Sequence, residues 1–273
     1  MKRSVLRNVG IPLLSLAVLL GIWEAIVVIF NVAPYIMPRP FDAIRAVTDN
    51  WGLLWPLILG TIRETVYGFV CGALLGLCLG VIMAKVSFLQ KFLYPLLVLS
   101  QAVPIIALAP PLVLILGFGI APKVFIVIWV VFFPVAVNVF DGLTHVDQDL
   151  VNLARVYGAS RRRTFLQIEI PASTTPIFSG LKIGATYAVT GAIIGELYAS
   201  EGSSLALYQE HANSNLNAAA VYGTTMVMTA LGISWFLLVV GTEVLVTPWQ
   251  RRSVARRPLF RRRTDVVEST VHH

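Results

Sequence analysis

Few side chains in this sequence stand at spacings that support covalent or metal chemistry. The four histidines, His145, His211, His272 and His273, lie far from the two cysteines, and none has a partner at the spacing of a metal site or a nucleophile triad. Cys71 and Cys78 are seven residues apart, about 10 Å along a helix; they cannot bridge one another and read as small apolar fillers. No glycine is followed by lysine, so the phosphate-cradling Gly-x-x-x-x-Gly-Lys loop is absent and any ATP must be bound elsewhere. Acidic residues within or near apolar runs are Glu24, Glu64, Asp141, Glu196 and Glu243. Glu64, Asp141 and Glu243 fall near the ends of those runs, where water reaches them. Glu196 shares a helix with Thr186, Tyr187 and Thr190. Ionisable groups at membrane depth face a bundle interior or water, so this set marks either a water-filled path or hydroxyls bonded to their own backbone beside a snorkelling carboxylate. Neither catalysis nor a resident cofactor or metal is expected.

The elements that position these residues follow from composition. Of 273 residues, 57% are hydrophobic and 13% charged, with formal charge +7, mean hydropathy +0.79 and pI about 9.7. A soluble domain carries roughly 25% charged residues; this chain has too little charge to cover a globule, too much hydrophobicity for disorder and too few cysteines for a disulfide scaffold. It is an integral membrane protein, all-α and polytopic, expected to form a single domain over residues 1–273. A crossing helix needs about 20 apolar residues, and six runs qualify, at about 9–30, 62–84, 92–116, 123–143, 176–198 and 219–246. The third is interrupted by Pro104, Pro110 and Pro111 and should kink inside protein. The first begins like a signal peptide, but it continues past Trp23 to Phe30 without a small-x-small cleavage site and reads as an uncleaved helix. With the N-terminus inside, 17 of the 21 Lys and Arg residues fall on the inner side and only Arg39, Arg45, Arg63 and Lys123 outside. The positive-inside rule therefore places both termini in the cytoplasm. The basic tail, 247–273, reads as a stop signal for the last helix, with anionic lipid as a second reading.

The second run carries Gly68, Gly72, Gly76 and Gly80. Glycines four apart share a helix face and let another backbone come close, so this helix requires a tightly packed helical partner.

The most informative stretch is the loop 144–175, inside by the charge count. Asp147 suits an N-cap, and Leu150, Leu153, Ala154 and Tyr157 follow at i, i+3, i+4 and i+7, one apolar face. Asp149 and Arg155 complement the helix dipole, and Gly158 stops the helix at C′. Ser160 can cap a second short helix through Arg161, Arg162, Arg163, Phe165 and Ile168, closed before Pro171. Such an amphipathic pair lies on lipid or inserts into a partner's groove; composition leaves both open.

Residues 152–171, Asn-Leu-Ala-Arg-Val-Tyr-Gly-Ala-Ser-Arg-Arg-Arg-Thr-Phe-Leu-Gln-Ile-Glu-Ile-Pro, resemble the "EAA" loop of inner-membrane permeases of binding-protein-dependent ABC importers. That signature is Glu-Ala-Ala, three residues, Gly, nine residues, then Ile-x-Leu-Pro. Ala154, Gly158, Ile168 and Pro171 match in register and Ile170 replaces Leu. Asn152 stands for Glu and Leu153 for Ala, so a salt bridge through that Glu is not carried over. Met37-Pro38-Arg39-Pro40 resembles the family's Leu-Pro-x-Pro after the first span. Thr61-Ile62-Arg63 through Gly68-Phe69 resembles its second-span opening, and Gly195-Glu196-Leu197 its pattern near the end of the fifth. These details resemble the nitrate/sulfonate/taurine branch, which includes pyrimidine and thiamine-precursor importers.

The resemblance implies a type I ABC importer permease fold in the bacterial inner membrane. Two permease chains, expected as a homodimer, form the path; two ATPase subunits bind the ATP, and an extracytoplasmic binding protein delivers substrate. Coupling to the ATPase would fall to Leu150, Leu153, Ala154, Tyr157, Gly158, Ala159, Ile168 and Pro171, the first short helix docking in an ATPase groove. Arg161, Arg162 and Arg163 read as membrane-surface or solvated charges. The expected substrate is a sulfonate, a nitrate-like anion or a pyrimidine or thiamine precursor. The absence of Lys and Arg from the predicted span centres argues mildly against tight anion binding there. A secondary transporter or channel is the competing class, but inverted repeats and several midplane charges, which such proteins tend to have, are not visible. Nucleic acid is not an expected partner.

Overall fold

The computed structural model describes residues 2–248, with side chains from Leu14 onward except Leu16. The arginines of the tail, 251–263, lie outside the described residues. Regular structure is helical throughout: α1 (Lys2–Ile29), α2 (Pro40–Asp49), α3 (Trp51–Lys85), α4 (Ser87–Ser100), α5 (Ile105–Leu116), α6 (Ile120–Thr144), α7 (Gln148–Val156), α8 (Arg161–Thr164), α9 (Ile170–Ala172), α10 (Thr174–Ala199), α11 (Leu205–Ser214) and α12 (Ala218–Val246), with one π turn at Phe165–Glu169. Among the described residues α3, α6, α10 and α12 are each long and apolar enough to cross a membrane, and α4 with α5 qualifies as one broken span. The first expected span lies within α1, whose apolar part among the described side chains is Ala17–Ile29.

Glycine against valine builds the centre. Gly72, Gly76 and Gly80 of α3 face Val131, Val135 and Val139 of α6, and a Cβ on them would come within 2.6–2.9 Å of that helix; Gly68 meets Val127 in the same register. Because both numbers rise together, α3 and α6 run parallel. On the other side of α6, Gly180, Gly184, Gly191 and Gly195 of α10 oppose Val135, Val131, Val127 and Lys123, a falling register and hence an antiparallel pair. Val127, Val131, Val135 and Val139 are fully buried between the two glycine faces, with Ala188 and Ala192. Lipid tails are as apolar as the helices they would leave, so cohesion comes from close packing that small residues permit. The stiff β-branched valines, with one favoured rotamer in a helix, fill the contact at little entropic cost.

Parallel α3 and α6 fix the role of what joins them. The chain leaves α3 at Lys85 and must enter α6 at Ile120, at the opposite end of the bundle, so α4 and α5 together make one crossing. One kinked helix at 92–116 was expected; two helices meet instead at 99° across residues 101–104. Proline explains only part of this. Pro104 caps α5 at the break, whereas Pro110 and Pro111 remain inside α5, their missing donors tolerated where neighbours supply partners.

A second difference lies past α8. The expected end before Pro171 does not occur: the chain stays helical through Pro171, and the π turn Phe165–Glu169 precedes it. Shifting a bond to i−5 absorbs the proline's missing donor and ring without ending the helix.

Candidate functional site

At the break between α4 and α5, a cavity of about 590 Å³ opens against α6 and α10. Its walls include Gln101, Pro104, Trp129, Phe133, Asn138 and Tyr187. Asn138 Nδ2 donates to Pro134 O at 2.8 Å, which leaves its carbonyl oxygen to accept. Among the described residues no charged side chain lines it. Aromatic walls offer stacking faces and the carboxamides offer directed hydrogen bonds. Of these residues only Tyr187 was expected from sequence. The signals for the others were Gln101 just before the Pro104 break, since discontinuous helices mark midplane sites, and Asn138 within an apolar run.

The expected pathway set divides. Thr186, Tyr187 and Thr190 lie on an exposed stripe of α10; Thr186 faces a separate shallow cavity of about 380 Å³ with Thr229, Gly232 and Phe236 of α12. Glu196 is elsewhere: it is 1% exposed, inside the bundle. Its Oε1 accepts from Thr61 Oγ1 at 2.5 Å and its Oε2 from the Ala206 N–H at 2.9 Å, joining α10 to α3 and to the start of α11. Beside it Glu64 Oε1 accepts from Lys123 Nζ at 2.8 Å. Glu64 and Lys123 are buried, against the expectation of a hydrated carboxylate and an outer-loop lysine. The packing of Gly195 on Lys123 draws the lysine inward. Lys123 is therefore a cation inside the protein, but one matched to a carboxylate. Glu243, also expected at a hydrated end, pairs with Lys182 at 3.0 Å, whereas Asp141 is exposed.

At the other end α6 and α10 are joined by the loop with the short helices. Asp147 accepts from Asp149 N–H at 2.9 Å and Ser160 from Arg163 N–H at 3.3 Å, capping α7 and α8. Gly158 has φ +78; its N–H bonds to Arg155 O at 2.9 Å and that of Ala159 to Ala154 O at 3.0 Å, the paired closure of a Schellman motif. The loop's base is held firmly: Ser173 Oγ donates to Gly142 O and lies close to Glu169 O, at 2.8 and 2.7 Å, and Lys85 pairs with Glu169. Its tip is open. Val151 alone of α7 is buried, while Leu150, Leu153, Val156 and Tyr157 stand 50, 54, 84 and 83% exposed. Ala154 and Ala159 are half-buried at the turn, and Ile168 and Pro171 half-buried along the return. Val156 extends the ridge expected from sequence. An apolar ridge on a rigidly based, capped helix is a surface for insertion into a groove.

Comparison with known proteins agrees with this geometry. Residues 76–249 match the model of the family described as "Binding-protein-dependent transport system inner membrane component". The formylaminopyrimidine transport permease protein of Halalkalibacterium halodurans is 30% identical over 243 residues, covering 88% of this chain and 96% of that protein. The riboflavin transport system permease protein of Chloroflexus aurantiacus is 34% identical over 70% of this chain and 71% of its own. The taurine transport system permease protein of Escherichia coli is 25% identical over 89% and 90%.

Proposed function

Because the chain belongs to the family of inner-membrane components of binding-protein-dependent transport systems, a multi-pass membrane subunit of ABC importers, we propose that it forms the substrate path and couples it to a separate ATPase through α7 and α8. The observation that carries this reading is the exposed ridge of Leu150, Leu153 and Tyr157 on a helix closed by Gly158, at the positions of the family's loop signature. ATP is bound by the partner, substrate arrives from an extracytoplasmic binding protein, and two copies of this chain enclose the path. The exposed stripe of Thr186, Tyr187 and Thr190 supports the last point, since hydroxyls on a crossing helix belong against protein or water rather than lipid. Both termini and the loop lie in the cytoplasm, as the distribution of Lys and Arg supports.

Among the substrate classes of the branch, the cavity favours a flat, neutral heteroaromatic compound of the pyrimidine type. Trp129, Phe133 and Tyr187 supply ring faces, Gln101 and Asn138 supply edge hydrogen bonds, and among the described residues no cation lines it to hold a sulfonate or nitrate.

Replacing Gly158 tests the coupling. At φ +78 a side chain costs roughly 1–2 kcal/mol locally, too little to unfold a packed bundle but enough to change the angle between the short helices. In proteoliposomes with ATPase and binding protein, Gly158→Asp is expected to insert normally and to abolish uptake while ATP hydrolysis continues. Normal uptake at normal abundance overturns the proposal.

A further inference from the structure

A second polar cavity, of about 550 Å³, lies between the end of α3 and the two short helices, and neither the path nor the docking ridge uses it. Lys85, Arg155, Arg161 and Arg162 line it, with Phe165 and Glu169. Lys85 is matched: it pairs with Glu169 and sits 4.7 Å over the Phe165 ring. The side chains of Arg155, Arg161 and Arg162 have no ion-pair or hydrogen-bond partner among the described residues, while the neighbouring Arg163 turns to Gln167 at 3.0 Å. Three arginines without a partner among the described residues thus line one cavity and give it a surplus of positive charge. The guanidinium fork matches a phosphate with two parallel hydrogen bonds.

Position separates this cavity from the ATPase ridge. At 100° per residue, Arg155 lies on the face of α7 opposite Leu150, Leu153 and Tyr157. The cavity is instead next to the membrane level. Lys85 is the last residue of a crossing helix, and the chain beyond it carries Phe88 and Phe92, 76 and 59% exposed. Apolar surface close in sequence to a cationic group at the inner end of a span is the setting in which lipid headgroups are held.

We propose that this cavity binds a phosphate group, delivered by the headgroup of an anionic phospholipid or as free phosphate. Arg155 lies in the last turn of α7 and Arg161 and Arg162 begin α8, so a phosphate between them bridges the two helices across the Gly158 turn. The bound anion fixes the angle that the coupling element presents.

The test uses the full chain, with and without its ATPase, and the variant Arg155→Gln/Arg161→Gln/Arg162→Gln. Arg256→Gln/Arg257→Gln in the basic tail serves as the control for unspecific attraction. In one arm, phosphatidylglycerol retained per chain after detergent extraction is counted by native mass spectrometry. In the other, radiolabelled inorganic phosphate is titrated onto the chain in phosphatidylcholine nanodiscs. Retention of lipid by the wild type and the tail variant, falling about tenfold or more in the triple variant, supports the site with lipid as source. Saturable phosphate binding lost in the same variant supports it with free phosphate as source. Equal binding by wild type and triple variant, or none in either arm, overturns the proposal. Displacement of all bound anion when the ATPase docks also overturns it, assigning the arginines to an acidic surface of that partner. Should the triple variant fail to insert, Arg155→Gln and Arg161→Gln singly decide the matter, each expected to weaken binding severalfold.

Discussion

At the Ile120 end of the bundle, Glu64, Lys123 and Glu196 are shut away from solvent: Lys123 pairs with Glu64 through one oxygen, the other having no partner among the described residues, and Glu196 accepts from Thr61 and from the start of α11. At the Lys85 end, Arg155, Arg161 and Arg162 stand open around a cavity, unmatched among the described residues. Charged side chains play opposite parts at the two ends because their surroundings differ. A charge withdrawn from water must be compensated inside the protein, and once compensated it ties elements together. A charge left in water costs nothing to keep unmatched and remains available to a ligand. The buried end therefore behaves as a fixed joint among α3, α6, α10 and α11, and the open end as a surface that other molecules can engage.

The largest effect should come from unmatching the buried end. Lys123→Met removes the cation and leaves Glu64 as a buried carboxylate without its partner, a loss of about 3–5 kcal/mol. The variant should reach the membrane at low abundance and melt far below the wild type in detergent. Adding Glu64→Gln should recover most of the loss, because the remaining amide can still accept and donate. Wild-type melting of Lys123→Met would falsify the description of this end as a joint.

A smaller loss is expected at the glycine and valine contact. Gly76→Leu drives a side chain into α6, where even a Cβ would lie 2.6 Å from Phe132 O and 2.7 Å from Val135 Cβ. Overpacking of this kind costs roughly 1–3 kcal/mol. Gly60 on the same helix has nothing within 4 Å of such a Cβ, and Gly60→Ala should instead gain up to about 1 kcal/mol from helix propensity. Melting temperatures of the two variants should move in opposite directions; parallel shifts would mean that helix propensity rather than α6 decides.

These two contacts also mark how far the sequence can be read. The four-residue spacing of Gly68 to Gly80 is visible in the sequence because small residues at one helical period have a single geometric consequence. The loop was legible for the same reason: Asp147, Gly158 and Ser160 act on their own backbone within a few residues. The partner of the glycines was not legible, because Val127 to Val139 look like any apolar run until α3 and α6 are placed in parallel. Lys123 misled, since a lysine near the end of an apolar run is ordinarily hydrated, and it is held inside by Glu64, 59 residues away in sequence, and by the packing of Gly195. The cavity was missed because Gln101 lies far in sequence from Trp129 and Asn138 on α6, and the 99° bend between α4 and α5 brings it against them.

The smallest effect on stability, and the sharpest contrast with the buried joint, is expected at the tip of α7. Tyr157 is 83% exposed, so Tyr157→Ala removes little that the chain packs against, and its melting should change by less than about 0.5 kcal/mol in stability. Docking is another matter, because a large aromatic on an exposed ridge is the kind of side chain that anchors an interface, where truncation costs about 2 kcal/mol or more. The variant should therefore fold and insert as the wild type does and yet lose about thirtyfold or more in affinity for the ATPase, read by co-purification across a dilution series. Leu153→Ala, 54% exposed on the same face, should do the same to a lesser degree. If Tyr157→Ala melts early while still holding the ATPase, the ridge is part of the fold and the distinction between a locked end and an engaging end fails there.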